Sequence, residues 1–354
     1  MANTMKAQVF SAAEKMEMAE LPIPQVGDAD VLVKVKNCGI CGSDISYYFG
    51  SSPTGKMPIV LGHEFTGEVV EVGAIPKSMG LFKPGDRVVV NPVQHCNACY
   101  ACASGHTNLC ANLYVPGVNA DGAMAEYALS RYTGLFKLDD AVTYAAGAFI
   151  EPLACAVYGM KKLAIEPGQF VAIFGPGPIG IMMVQMAKAT GAGKVAMIGT
   201  RDYRLEEAKK WGADYIFNTK DAQSPYYAND LKAAIADVSH GLLAERAIVP
   251  TSSNAAFEQA IDITAGAAII VHFGLPDEGD VIHVPALATH TADKEIRFSW
   301  LAPGVWPTTI AMIANGLLNL EPLVSQAVPL SEAATAIVNL RARKDDPIKV
   351  QIVP

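Results

Sequence analysis

The sequence has no excess of basic residues, because its 27 Lys and Arg are outnumbered by 35 Asp and Glu. Proteins that bind nucleic acid normally carry a basic surface, so we expect no nucleic-acid partner. It also has no apolar run of membrane-spanning length; the nearest, 263–275, is interrupted by His272, so we expect no membrane partner. The first ten residues have no apolar core behind a basic start. We therefore expect no secretory leader and a cytoplasmic location.

The length of 354 residues is enough for two domains, and 51% of the residues are apolar. The first half shows short β-branched runs closed by glycine or proline, such as 31–36 and 85–90. Near Pro167 the pattern changes to alternating strands and helices: strand 169–174, helix 179–190, strand 194–198 and helix 203–211. This alternation predicts an α/β fold with a doubly wound parallel sheet. After about residue 290 the mixed pattern returns, so the tail is expected to rejoin the first domain.

Four cysteines lie close together, with the spacing C-x2-C-x2-C-x7-C: Cys96, Cys99, Cys102 and Cys110. Four thiolates can close a tetrahedral zinc site and leave no coordination position open for substrate. The segment of about 91–112 is therefore predicted to be a structural zinc lobe. The alternatives are four free or buried cysteines, or disulfides, which are typical of small secreted proteins.

A glycine-rich turn, Gly175-Pro-Gly177-Pro178-Ile179-Gly180, stands between a predicted strand and a predicted helix. Its glycines permit a tight turn, a close approach to a pyrophosphate and tight packing of the helix, whose N-terminus attracts the phosphate charge. The turn therefore predicts dinucleotide binding. Phe273 and Gly274, after a later strand, are predicted to line the same site.

The cofactor preference depends on the end of the second strand, where NAD-binding proteins usually place an acid that binds the ribose hydroxyls. Here Gly199 and Thr200 stand in that place, with Arg201 beside them and Arg204 one turn further on. Guanidinium groups can hold a 2′-phosphate, so the pattern favours NADP over NAD. In the alternative, both arginines are solvated and Asp202 binds the ribose.

Three separated segments offer a second set of metal ligands: Cys41, the pair His63-Glu64, and Glu151. A thiolate, an imidazole and a carboxylate suit zinc, and the remaining position would be open for substrate. Each residue alone has a structural alternative: a core thiol, a buried imidazole, or a capping or paired carboxylate.

The chain resembles the zinc-dependent medium-chain dehydrogenase/reductase family in five motifs, which occur in the family's order and spacing. These are Gly-Ile-Cys-Gly-Ser-Asp at 39–44, Gly-His-Glu-Phe-Thr-Gly at 62–67, the four-cysteine lobe, Glu-Pro-Leu-Ala-Cys at 151–155 and the glycine-rich turn. The resemblance is greatest to the sorbitol/threonine dehydrogenase-like polyol branch. It implies a GroES-like catalytic domain of residues 1–153 and 290–354, a Rossmann domain of 154–289, and an active site between them.

The resemblance also implies two Zn²⁺ ions per chain, one catalytic and one structural. Cys41, His63 and a glutamate, either Glu64 or Glu151, would bind the catalytic ion, which activates the oxygen of a small alcohol or ketone while hydride passes to or from the nicotinamide. Ser43 would relay the proton. Some relatives carry a histidine as the outer relay where this chain has Ser46, so proton exit through water is expected. Relatives form homodimers or homotetramers, and we expect the same here.

The substrate is the least determined feature. Polyol dehydrogenases tend to place a Phe-Arg-Tyr segment after the motif that matches 294–296, and this chain lacks that arginine there. Trp300 and Trp306, with Tyr47 and Phe49, would line a pocket for a more hydrophobic secondary alcohol, unless the tryptophans serve packing or a subunit interface. We expect an NADP-linked polyol dehydrogenase, with an NAD-linked one or a ketone reductase for hydrophobic substrates as alternatives. A zinc-free reductase of the same superfamily is disfavoured by Cys41, His63 and the lobe.

Overall fold

The chain forms two compact units in the computed structural model, which describes residues 4–51 and 56–354. The first unit comprises Met1–Pro152 and Trp306–Pro354, and the second comprises Leu153–Val305. The pattern change near residue 290 predicts the return to the first unit there, but the return falls at Trp306. The reason is a strand at Glu295–Phe298, which pairs in parallel with Thr264–His272 and so extends the sheet of the second unit.

The strands and helices of the described residues have the following bounds. The strands are β1 Thr4–Ala12, β2 Lys15–Pro22, β3 Asp30–Gly39, β4 Ile59–Val60, β5 Glu64–Val72, β6 Arg87–Val90, β7 Tyr127–Arg131, β8 Leu135–Lys137, β9 Phe170–Phe174, β10 Lys194–Gly199, β11 Tyr215–Asn218, β12 Ala244–Val249, β13 Thr264–His272, β14 Glu295–Phe298, β15 Val324–Pro329 and β16 Lys349–Val353. The helices are α1 Gly42–Tyr48, α2 Ala74–Ser78, α3 Tyr100–Ala103, α4 Tyr144–Gly147, α5 Ile150–Leu163, α6 Pro178–Ala189, α7 Asp202–Lys210, α8 Leu231–Val238, α9 Asn254–Asp262, α10 Ala286–Thr291, α11 Trp306–Ala314 and α12 Ala333–Ala342. Within the described residues, even α5, the longest of these helices with 14 residues, is too short to span a bilayer.

The second unit contains a six-stranded parallel sheet in the order β11-β10-β9-β12-β13-β14, which confirms the predicted doubly wound sheet. Strand β9 is buried along its whole length, as expected for a strand in the middle of such a sheet. The chain continues from β9 to β10 on one side, and β12 lies on the other side. The strand order therefore reverses between β9 and β12. In this class of sheet, ligands bind in the crevice at the carboxyl ends of the strands where the order reverses.

The first unit is built around a seven-stranded sheet, in which β15-β16-β3-β5-β6-β8 are neighbours and β7 also pairs with β3. A smaller sheet has the order β2-β1-β4. The returning C-terminal segment is part of the larger sheet, because β16 lies between β15 and β3. Val33, Phe65 and Ile352, from β3, β5 and β16, are all completely buried in one core. The C-terminal strand can therefore place side chains beside those of β3 and β5.

Candidate metal centres and dinucleotide site

The four lobe cysteines bring their sulfur atoms together, with all four Sγ atoms within 4.8 Å of one another. None of the cysteines in the described residues forms a disulfide. Cys99 immediately precedes the short helix α3, and the backbone N–H groups of Cys96 and Asn112 both donate to Cys110 Sγ at 3.3 Å. Backbone N–H groups of Ala98 and Cys99 lower the pKa of the Cys96 thiol to about 6. Burial raises the pKa of the Cys102 thiol to about 12, so the lobe favours the thiolate at Cys96 and the thiol at Cys102.

This arrangement fits a zinc ion. Zinc binds thiolates at about 2.3 Å, so the sulfur atoms of a tetrahedral site lie about 3.8 Å apart. The separations in the lobe, including 3.5 Å between Cys99 Sγ and Cys102 Sγ, are of this size. Four cysteine ligands would complete the coordination shell, so an ion here would stabilise the lobe and leave no place for a substrate.

A second cluster in the first unit joins Cys41, His63 and Glu64, whose ligand atoms also lie within 4.8 Å of one another. Cys41 precedes helix α1, and the carboxylate of Asp44, in the first turn of that helix, accepts a hydrogen bond from the backbone N–H of Cys41 at 2.8 Å. His63 and Glu64 stand at the start of β5, and Glu64 pairs with Gly39 of β3. The sheet and the helix start together bring the three ligand types to one place.

The buried carboxylate of Asp44 faces His63, a contact that the sequence motifs do not reveal. Its Oδ1 lies 3.6 Å from His63 Nδ1, and the Asp44 side chain is completely buried. If Nδ1 donates to this carboxylate, Nε2 would be the nitrogen that binds a metal. Burial would lower the pKa of His63, but the negative charges of Asp44 and Cys41 raise it well above its usual value. The ring therefore interacts electrostatically with both Asp44 and Cys41.

Lys349 of β16 is a second residue that sequence reasoning missed. Its ammonium group forms an ion pair with Glu64 and donates a hydrogen bond to the backbone carbonyl of Ile40 at 3.0 Å. Both Lys349 and Glu64 are almost completely buried. Burial would lower the pKa of Lys349, but the Glu64 carboxylate raises it above its usual value. The only sequence signal is a lysine at the start of a mostly apolar C-terminal segment, 348–353.

Glu151 lies near this cluster but is not one of the three residues with mutually close ligand atoms. It is the second residue of α5 and is 8% exposed. Burial raises its pKa, while the charge of His63 lowers it, so the two side chains interact electrostatically. Both glutamates of the sequence prediction are thus close to His63, with Glu64 in the cluster and Glu151 beside it.

The other residues predicted around the substrate occupy different surroundings. Ser43 is half-buried in the first turn of α1, and burial, with the charges of Asp44 and Cys41, raises the pKa of Tyr47 to about 12. Phe49 packs edge-on against Tyr48 at 5.0 Å, and Trp306 is 4% exposed and stacks on Phe136 at 5.5 Å. Trp300, in the second unit, is 46% exposed. Of these aromatic residues, Tyr47 thus interacts electrostatically with Asp44 and Cys41 of the metal cluster region.

The glycine-rich turn of the second unit has the geometry of a phosphate-binding turn. Gly175 has φ +116°, a backbone conformation that other residues rarely adopt, and its N–H donates to the Ile198 carbonyl at 2.8 Å. Gly177 precedes α6, Pro178 occupies the first position of that helix, and Ile179 follows it. A side chain at Gly180 would overlap the carbonyl oxygen of Gly175. The turn therefore leaves the N-terminus of α6 open to a pyrophosphate.

The end of β10 carries no acid. Gly199 is its last residue, exposed Thr200 follows, and half-buried Arg201 precedes α7. Arg204 is 7% exposed. The Oδ1 of Asp202 accepts hydrogen bonds from Asn218 Nδ2 and from Ser224 Oγ, both at 2.7 Å. Asp202, the acid that could replace the missing one, is therefore already hydrogen-bonded to two other side chains of the protein.

The residues after β13 are held against the neighbouring strand. The N–H groups of Phe273 and Gly274 both donate to the carbonyl of Val249, the last residue of β12, at 3.3 and 2.9 Å. A side chain at Gly274 would overlap the backbone of Thr251. Both residues thus lie at the carboxyl edge of the sheet, as does the turn after β9.

Comparison with known proteins gives matches along nearly the whole chain. Residues 27–140 match the alcohol dehydrogenase GroES-like domain, and residues 178–315 match the zinc-binding dehydrogenase domain. Sorbitol dehydrogenase of Bacillus subtilis is 32% identical over 99% of this chain and 97% of its own length. A Sinorhizobium meliloti structure described as a zinc-binding dehydrogenase bound to NADP superposes with a TM-score of 0.92 at 29% identity, covering 100% of both chains. An Escherichia coli alcohol dehydrogenase complexed with NADH gives a TM-score of 0.90 at 30% identity, again over 100% of both chains.

Replacing a lobe cysteine tests the role of the lobe. We expect Cys99→Ser to lower the zinc content and to lower Tm by about 5 °C or more, because a structural metal site contributes directly to folding. Zinc per chain is measured by atomic emission and Tm by calorimetry. The matched control is Tyr100→Ala, since Tyr100 adjoins Cys99 and is 89% exposed. Equal Tm values for the two variants would contradict a structural zinc.

Removing the buried ammonium tests the ion pair. We expect Lys349→Met to lower the free energy of unfolding by about 3 kcal/mol, because a buried carboxylate loses its partner. Denaturant unfolding measures the change. Lys344→Met, at an exposed position of the same C-terminal segment, should have little effect. Adding Glu64→Gln to Lys349→Met should recover part of the loss, and a further equal loss would argue against the pairing.

Proposed function

Since the chain belongs to the zinc-dependent medium-chain dehydrogenase/reductase family, we propose that it transfers hydride between NADP(H) and a secondary alcohol of the polyol class. Membership of the zinc-type alcohol and polyol dehydrogenases confirms the family prediction made from the five motifs. The observation that carries the specific proposal is the cluster of Cys41, His63 and Glu64, because a thiolate, an imidazole and a carboxylate form a zinc site with an open position.

Two zinc sites are proposed, and the residues present fit both. Cys96, Cys99, Cys102 and Cys110 would bind the structural ion. Cys41, His63 and a glutamate would bind the catalytic one, with Glu64 as the closer acid and Glu151 able to exchange with it. When bound there, the second ion supplies Lewis acidity to the substrate oxygen, and the nicotinamide cofactor supplies or accepts the hydride.

The protein's own side chains would fix the geometry and the charge of this centre. Asp44 keeps His63 in one orientation through Nδ1. Lys349 compensates the charge of Glu64. Ser43, in the first turn of α1 directly after Cys41, is the proposed proton relay, and its hydroxyl would hold the proton that leaves the substrate alcohol.

NADP is proposed as the preferred cofactor because the end of β10 lacks an acid and carries basic side chains. A carboxylate at position 199 would repel a 2′-phosphate, whereas Arg201 and Arg204 can attract one. Asp202 is a less suitable ribose ligand, since its Oδ1 is directed to Asn218 and Ser224 and accepts a hydrogen bond from each. One similar solved structure is bound to NADP and another to NADH, so the fold itself accommodates either dinucleotide.

The substrate class is proposed from the similarity to sorbitol dehydrogenase. One observation favours a less polar secondary alcohol as a second candidate. Arg297, the arginine nearest to the position expected in polyol dehydrogenases, donates to Glu295 Oε2 at 2.5 and 3.0 Å and to the Lys162 carbonyl at 2.7 Å. It is therefore engaged within the second unit. From the resemblance, we also propose a homodimer or homotetramer in the cytoplasm.

A ligand replacement joined to a substrate panel tests the proposed activity. We expect the protein to oxidise sugar alcohols with NADP, and His63→Asn to reduce turnover by at least about 100-fold, because loss of the metal removes the Lewis acid. Activity is followed by NADPH absorbance, and zinc per chain is measured in parallel. His290→Asn, at an exposed histidine, is the matched control. Turnover of only apolar alcohols would favour the second candidate, and unchanged turnover in His63→Asn would reject the metal centre.

A charge removal tests cofactor choice. We expect Arg201→Ala to weaken NADP binding by about tenfold or more and NAD binding much less, because only NADP offers a 2′-phosphate to the guanidinium. Dissociation constants are measured by quenching of protein fluorescence. Lys209→Ala removes an exposed positive charge from the same helix and should leave the ratio of the two constants unchanged. Equal losses for both cofactors in Arg201→Ala would remove the case for 2′-phosphate recognition.

A further inference from the structure

Pro176 and Gly199 are in close contact across the dinucleotide turn. A Cβ atom placed on Gly199 would lie 2.6 Å from Pro176 Cδ and 2.7 Å from Pro176 Cγ. Carbon atoms that are not bonded to each other normally approach to no less than about 3.5 Å. The pyrrolidine ring therefore occupies the space that any side chain at position 199 would need.

Neither partner can easily move away. The Cδ atom of proline is bonded to its own backbone nitrogen, so the ring cannot rotate to another side-chain conformation. The backbone before Pro176 is held by the hydrogen bond from Gly175 N–H to the Ile198 carbonyl, and the helix α6 begins just after Gly177. On the other side, the carbonyl of Gly199 accepts a hydrogen bond from the Thr219 N–H at 2.9 Å. Making room at position 199 therefore requires a shift of the phosphate-binding turn itself.

This contact has a consequence for the cofactor. Position 199 ends the second strand of the sheet, where a carboxylate would bind the hydroxyls of the adenosine ribose. As long as residue 176 is proline, that carboxylate cannot be accommodated. We propose that Pro176 is a specificity-determining residue, which enforces glycine at position 199 and thereby excludes NAD-type ribose recognition. This inference rests on the proposed preference for NADP and names a residue that controls it.

A double-mutant cycle tests the contact without any cofactor. The zinc-containing protein is compared with Gly199→Ala, Pro176→Ala and the double variant, and Tm is measured for each. We expect Gly199→Ala to lower Tm by about 5 °C or more in the presence of Pro176 and by much less in its absence, because the overlap is then removed. The cycle corrects for the separate effect of losing a proline.

Pro178→Ala is the matched control, since Pro178 belongs to the same turn but supplies none of the three atoms nearest to a Cβ placed at 199, which belong to Pro176 and Leu205. It should not restore the stability of Gly199→Ala. A Gly199→Ala protein as stable as the parent, or a loss that Pro176→Ala does not reduce, would overturn the inference.

A second experiment tests cofactor binding. Gly199→Asp is made in the parent protein and in Pro176→Ala, and dissociation constants for NADP and NAD are measured for each variant. With Pro176 present, we expect weaker binding of both cofactors, because the turn is displaced. In Pro176→Ala/Gly199→Asp, we expect the preference to move toward NAD by at least about 30-fold relative to Pro176→Ala, since a carboxylate now meets the ribose. The same change of preference in Gly199→Asp alone would show that Pro176 does not control it.

The two proposals can fail separately. If the unmodified protein binds NAD more tightly than NADP, the proposed cofactor is wrong, whereas the Tm cycle still decides whether Pro176 excludes a side chain at position 199. If the parent prefers NADP but Gly199→Asp alone reverses this preference, the proposed function stands and the role of Pro176 is overturned.

Discussion

The buried charges of the first unit are the constraint on which its candidate metal centre depends. Asp44, Glu64 and Glu151 are all at least nine-tenths buried, and the cationic partners near them are Lys349 and, when protonated, His63. With the thiol of Cys41 added, the cluster carries more potential negative than positive charge. Burying such an excess is costly unless a cation balances it. A divalent zinc ion would provide that balance, so charge and ligand types both fit the proposed occupant.

The fold assembles this cluster from segments that are far apart in the sequence. Strands β3 and β5 pair so that Gly39 lies opposite Glu64, and the N–H of Ile40 donates to the carbonyl of Val350 in β16. The returning C-terminal segment thus places the Lys349 ammonium beside Glu64. Gly39 has no side chain, and any side chain there would overlap the Glu64 carboxylate and approach Lys349. The sheet therefore both positions the candidate metal ligands and brings the positive charge of Lys349 beside Glu64.

Short-range patterns made some features predictable and left others hidden. The lobe cysteines and the glycine-rich turn are local, so their spacing alone predicts the clusters that Cys96–Cys110 and Gly175–Gly180 form. The role of Lys349 cannot be seen in the sequence, because its partner Glu64 lies far away in the chain. Only the pairing of β16 with β3 brings the two side chains together. The boundary at Trp306 is hidden for a related reason, since the four residues of β14 carry no periodic signal that assigns them to the parallel sheet.

Gly199 shows how the physical reason for one residue can be hidden in the sequence. In the sequence, Gly199 is informative only because it stands where an acid would bind the ribose hydroxyls. In the structure, the space next to its backbone is filled by the ring of Pro176, so its size reflects contact with the turn and not an open space. The proposed preference for NADP then depends on the absence of a carboxylate and on the guanidinium groups of Arg201 and Arg204. A residue at this position should be interpreted together with the one between the first two glycines, because the two compete for the same volume.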